Sequence, residues 1–115
     1  DVDQEQIRLY LDHIPTQVRY ISMIVHSYNQ QSLSKVEAGE VHLSDDEENR
    51  AFNINLKQLP RDCHCLWVGS LRREIDEWYL TVQSLPLVAA DIEQAAQQVA
   101  HELARALPIE QPTGV

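Results

Sequence analysis

Glycine is scarce in this chain, with three residues in 115, and although proline occurs five times, no Asn-Gly or Pro-Gly step is present. Sandwiches and barrels depend on tight turns that use such steps, so their shortage argues against an all-β protein and for helices. Long apolar runs are also missing. Nothing approaches the roughly 20 residues that a bilayer-spanning helix needs. Basic residues are outnumbered, 9 against 18 acidic ones, for a net charge of −9. A surface so biased repels nucleic-acid phosphates and anionic lipids, which excludes direct nucleic-acid binding and suits a basic protein partner or simple solubility.

Cysteine is limited to Cys63 and Cys65. A bridge across one intervening residue would close a small strained ring, and on a helix the two side chains point about 200° apart. With no disulfide framework, a reducing, cytoplasmic compartment is favoured. Asp1 opens the sequence in place of Met, which fits a removed signal peptide, missing residues, or an extracytoplasmic sensor domain excised from a longer receptor. A chain of this length can bury one core, so a single domain over residues 1–107 is expected, with a tail over 108–115.

The residues that are present suggest an all-α, up-and-down bundle of about four helices. Ile7, Leu11, Ile14, Val18, Ile21, Val25 and Tyr28 recur alternately four and three apart, one stripe of a helix over Gln4 to Ser32 that Pro15 should kink. After a loop, Ser44-Asp45-Asp46-Glu47 has the spacing of a capping box, opening a short second helix that carries Phe52, Leu56 and Leu59. Pro60 would start a third helix with the stripe Cys65, Val68, Leu71, Ile75, Trp78, Val82 and Leu85, and Pro86 would turn the chain into a fourth. That last helix runs to about Leu107 with Val88, Ile92, Ala96, Val99, Leu103 and Leu107 inward. The rival reading extends Val36 to Leu43 as a strand through Ser44 in an α+β domain. Ser44→Ala would cost about 0.5–2 kcal/mol if Ser44 is a helix cap and almost nothing if it lies in a strand.

Chemistry is thinly represented. Cys63-His64-Cys65 offers zinc-ligating residue types, yet three consecutive side chains on a helix splay apart, so only His64 or Cys65 could join a distant partner such as His13, His26 or His101. The structural alternative makes Cys65 a small core residue and His64 a partly exposed one. Adjacent Cys and His seldom align for proton transfer. The runs Asp45 to Glu48 and Glu74 to Glu77 read as solvated helix ends, and glycine-rich phosphate loops are absent. No catalytic residue and no cofactor is therefore assigned. The expected role is a non-enzymatic protein-interaction or regulatory module, in the manner of a sensor bundle, an inhibitor or immunity protein, or a secretion chaperone. A bundle that binds a metal or small ligand through His64 or Cys65 is the alternative. Tyr20, Met23 and Tyr28 along the first stripe, with Trp67 and Tyr79 flanking the third, are the expected contact residues, and the seam from Ile7 to Tyr28 suggests a homodimer.

Overall fold

A computed structural model describes residues 5–27, 31–35 and 39–106. The chain is mainly β. Strands β1 (Tyr20–His26), β4 (Cys65–Glu74) and β5 (Glu77–Pro86) form an antiparallel sheet in the order β1-β4-β5, while β2 (Glu40–Ser44) and β3 (Arg50–Asn55) form a separate hairpin. One helix, α1 (Ile92–Ala106), follows β5.

Local sequence accounts for each element. Tyr-Ile-Ser-Met-Ile-Val in β1 and Trp-Tyr-Leu-Thr-Val in β5 are dense in β-branched and aromatic residues, which fit a pleated surface. In β2 and β3 the half-buried Val41, Leu43, Phe52 and Ile54 alternate with exposed His42 and Asn53, the period of a strand covered on one face. That covered face meets the three-stranded sheet. Leu33, Leu56, Cys63, Leu66 and Val68 make the buried cluster, with Met23, Val25, Val41, Phe52, Ile54 and Leu59 packed around it.

Across the sheet, the pairs Ile24↔Trp67 and His26↔Cys65 alternate with Val25↔Leu66 and so point away from the hairpin. Helix α1 packs along β1 and buries Ala95 and Val99. Its start is defined by Asp91, whose Oδ1 accepts the Gln94 amide at 2.8 Å, while the Gln94 side chain accepts the Ala90 amide at 2.7 Å. At the far end of the sheet Arg73 holds the segment before β1, donating to the carbonyls of Pro15 at 2.8 Å and Ile14 at 3.1 Å with its guanidinium 4.3 Å from the Trp78 ring centre.

The expected four-helix bundle is thereby corrected. The segment read as a kinked first helix contains one 3-10 turn, Leu11–His13, and then β1. Its stripe arose because β1 is half-buried on both faces, so apolar residues occur at nearly every position and a three-four spacing can be picked out of them. The third helix fails for the same reason, since β4 is buried on both faces and Leu66, outside the proposed stripe, is fully buried. The segment expected as a short second helix from Ser44 to near Pro60 holds instead the β2–β3 hairpin turn, β3 and a 3-10 turn at Leu56–Gln58. Asp45, not Ser44, organises the hairpin turn, accepting the amides of Glu47 and Asn49 at 2.9 Å each. The fourth segment is helical, but it begins at Ile92 and leaves Val88 93% and Ile92 49% exposed, where both were expected inward.

Turn chemistry explains why scarce glycine misled. Glu48 and Ile75 in the two hairpin turns, and Ser84 at a bulge within β5, adopt φ of 66°, 57° and 47°, positions that glycine or asparagine usually fills. Gly69 is kept for a different reason. A Cβ there would collide with the Thr81 carbonyl and lie 3.2 Å from Val82 Cα, so β4 and β5 approach too closely for any side chain.

Candidate functional site

The Cys-His-Cys segment sits at the entry to β4. Cys63 and Cys65 are buried, and the Cys63 thiol donates to the Cys65 carbonyl at 3.3 Å. Burial pushes both thiols above their ordinary pKa, so near neutral pH they stay protonated and are poor nucleophiles. His26 lies opposite Cys65, and His64 precedes it; His26 Nε2 and His64 Nδ1 are shielded from solvent with no hydrogen-bond partner among the described residues. Those residues nowhere bring together three His, Cys, Asp or Glu groups able to hold an ion. Four donors would be needed for structural zinc. The weak metal candidates His64 and Cys65 are thus placed in the packing between β1 and β4.

The five expected contact residues separate. Tyr20 and Met23 are half-buried in β1, with Met23 against the core, and Tyr28 lies outside the described residues. Trp67 is buried at 3% exposure, its indole N–H donating to Gly69 O and Ser70 Oγ at 3.2 Å each, and Ser70 Oγ lies 2.7 Å from Ser22 Oγ on β1. This polar chain ties the two strands together. Tyr79 alone among the four described residues is exposed, at 44%. Its ring lies under the Arg72 guanidinium at 5.3 Å, and its hydroxyl donates to Glu77 at 3.1 Å.

Tyr79 belongs to the feature that the sequence reading missed, the outer edge of β5. Among the described residues this strand pairs with β4 on one side and with no strand on the other. Trp78 and Leu80 are half-buried, but from Thr81 to Pro86 every residue is exposed, so the second half of the strand is bare on both faces. Val82 and Leu85 are 45% and 43% exposed, and Ile75 in the preceding turn is 90% exposed. No charged residue occurs from Trp78 to Ala90. Protected sheet edges ordinarily carry lysine, inward charge, a bulge or a covering segment; among the described residues β5 has a bulge at Gln83 and Ser84, where its register with β4 shifts, and Pro86 at its end.

Beside that end lies an open cleft of about 440 Å³, lined by Asn53, Asn55, Gln58, Pro60, Ser84 and Pro86 among others. Its polar groups are neutral amides and a hydroxyl, which suit the backbone of an extended chain better than an ion. A signal for this surface was present in the sequence, namely the β-rich, uncharged stretch from Trp78 to Pro86, but Trp78, Val82 and Leu85 fit a helix stripe equally well. The chain matches no family model, no curated protein and no solved structure.

Proposed function

We propose that this chain is a non-enzymatic protein-interaction module that engages its partner by strand addition at the outer edge of β5. The observation that carries the reading is the outer edge of β5, which has no strand beside it among the described residues, is uncharged after Glu77, and is exposed on both faces over its second half. An added strand would satisfy the unpaired backbone groups of β5 and cover Tyr79, Val82 and Leu85. The amide-lined cleft at the end of the strand adds donors and acceptors for an emerging backbone. Catalysis has less support, because the buried thiols are held protonated and the acidic residues at 45–48 serve a turn.

Site-specific photo-crosslinking in living cells tests this. A photoreactive residue at Tyr79, Val82 or Leu85 should give discrete protein adducts, whereas one at Glu47 in the opposite hairpin should not. Adducts absent from all three β5 positions, or equally abundant from Glu47, would overturn the reading.

A further inference from the structure

Resting on the reading that this chain engages an extended partner, we propose that the cleft beside the end of β5 is a peptide-backbone site. In it an uncharged extended segment of the partner pairs with the outer edge of β3 at Asn53 and Asn55.

The edge is built by the hairpin. Among the described residues β3 pairs with β2 on one side and with no strand on the other. The Leu56 N–H donates to Gly39 O at 2.7 Å, and alternation along an antiparallel ladder carries that bonding on to the pairs Val41↔Ile54 and Leu43↔Phe52. Asn53 and Asn55, in the pairs between, therefore turn their N–H and C=O groups away from β2. The register is continuous from Glu40↔Asn55 to Leu43↔Phe52 and shifts only beyond it, toward the hairpin turn.

The cleft lies along this edge. Asn53 and Asn55 on one face of β3 and Ile54 on the other all line it, which requires the groove to run past the side of the strand. Ser84 and Pro86 of β5 line it as well. The bulge that shifts the register of β5 and holds Ser84 at φ 47° thus places a hydroxyl in the cleft.

The lining selects the occupant. It contains no charged side chain, so a charged segment would lose water there and gain no counter-ion. Each asparagine amide offers both a donor and an acceptor, the two groups that a peptide unit presents in return. Asn53 and Asn55 stand two residues apart on one face of a strand, about 6.7 Å, the interval at which an extended chain repeats its backbone groups toward one side. Outward main chain and outward amides therefore share the period of an extended peptide, which neither an inorganic anion nor a sugar has. Asn55 Oδ1 accepts the Lys57 amide at 3.0 Å, so its NH2 is the group offered to the partner.

NMR titration of the full chain, labelled with 15N, tests the site. The probes are two end-blocked six-residue peptides, one alternating threonine with valine and one alternating serine with glutamine, and the first peptide N-methylated at every residue. Both unmethylated peptides should shift the backbone and side-chain amide signals of Asn53 and Asn55. Half-saturation should fall on the order of a millimolar, because a short segment in an open cleft gains few contacts. The methylated peptide, which has no N–H to give, should bind roughly tenfold more weakly or worse. Asn53→Asp and Asn55→Asp, which replace a donating NH2 by an oxygen, should each weaken binding roughly tenfold. The second variant keeps an oxygen for the Lys57 amide, and the rest of the spectrum verifies that both retain the fold. Unmoved signals at Asn53 and Asn55 with both peptides at about 10 mM overturn the inference. So does equal binding of the methylated peptide, or undiminished binding by both variants. Shifts of the same signals on concentrating the protein alone would put a second copy in the cleft and overturn it too. If the peptides move Tyr79 and Val82 but not the cleft, strand addition at β5 stands and only the backbone site fails. If the cleft moves while crosslinking from β5 yields nothing, the backbone site stands and the β5 reading fails; if neither responds, both fall.

Discussion

Strands β4 and β5 are each ten residues long and pair with each other over almost their whole length, yet Cys65 to Leu71 of β4 are all buried while no residue of β5 is. Their compositions differ little in apolar content. Position decides the outcome, since β4 lies between two strands with the hairpin packed on one face, and β5 has, among the described residues, a strand on one edge only. Similar segments can thus serve as core and as contact surface, and hydrophobicity alone does not say which.

The comparison breaks most sharply by truncating one leucine on each strand. Leu66→Ala removes a fully buried side chain from the central cluster and should cost about 2–5 kcal/mol. Leu85→Ala, at a site 43% exposed, should cost no more than about 0.5 kcal/mol when measured well below any associating concentration. Urea unfolding of both variants checks the pair. Equal losses would mean that the outer half of β5 is covered in solution by the chain itself.

How much of this was legible in the sequence follows from the same contrast. A segment buried on both faces, as β4 is, carries no period, so Cys65, Val68 and Leu71 could be fitted to a helix that Leu66 and Trp67 contradict. The hairpin β2–β3 did alternate, in Val41 to Leu43 and Phe52 to Ile54, but it was overridden by the capping-box spacing at Ser44. The helical nature of the last segment was readable from its alanines and its 3.6-residue stripe, and its start from Asp91 and Gln94, which had been passed over. Of the contact surface, only Tyr79 could be named in advance. Edge strands follow from sheet order, which depends on long-range pairing that no local pattern encodes.

The β4–β5 corner sharpens the comparison with a smaller effect of opposite sign. Ile75 is β-branched, 90% exposed, and held at φ 57°, a conformation unfavourable for such a side chain. Ile75→Asn relieves that strain and should stabilise the fold by about 1 kcal/mol, seen as a higher thermal midpoint. A lower midpoint would mean that Ile75 is covered in solution and contributes packing that its exposure does not suggest.

The smallest effect concerns the other hairpin turn, where Ser44 was expected to cap a helix and Asp45 organises a β-turn. Ser44 is exposed at the end of β2, so Ser44→Ala should leave stability unchanged. Asp45 accepts the Asn49 amide and the Asn49 side chain, and then the Glu47 amide, and these bonds hold its carboxyl below the usual range. A carboxylate whose pKa is lower in the folded than in the unfolded chain contributes stability above its unfolded value, and that contribution is lost as pH falls through the folded value. Asp45→Asn should therefore lower the thermal midpoint at about pH 7, and the gap from the unsubstituted chain should narrow steadily below about pH 4 as the native carboxyl takes up its proton. The remaining carboxylates are common to both proteins and cancel in the difference. A gap that persists unchanged at about pH 2 would show that Asp45 acts through shape rather than charge. A gap that appears for Ser44→Ala instead would return the cap to Ser44 and with it the helix that the β2–β3 hairpin replaces.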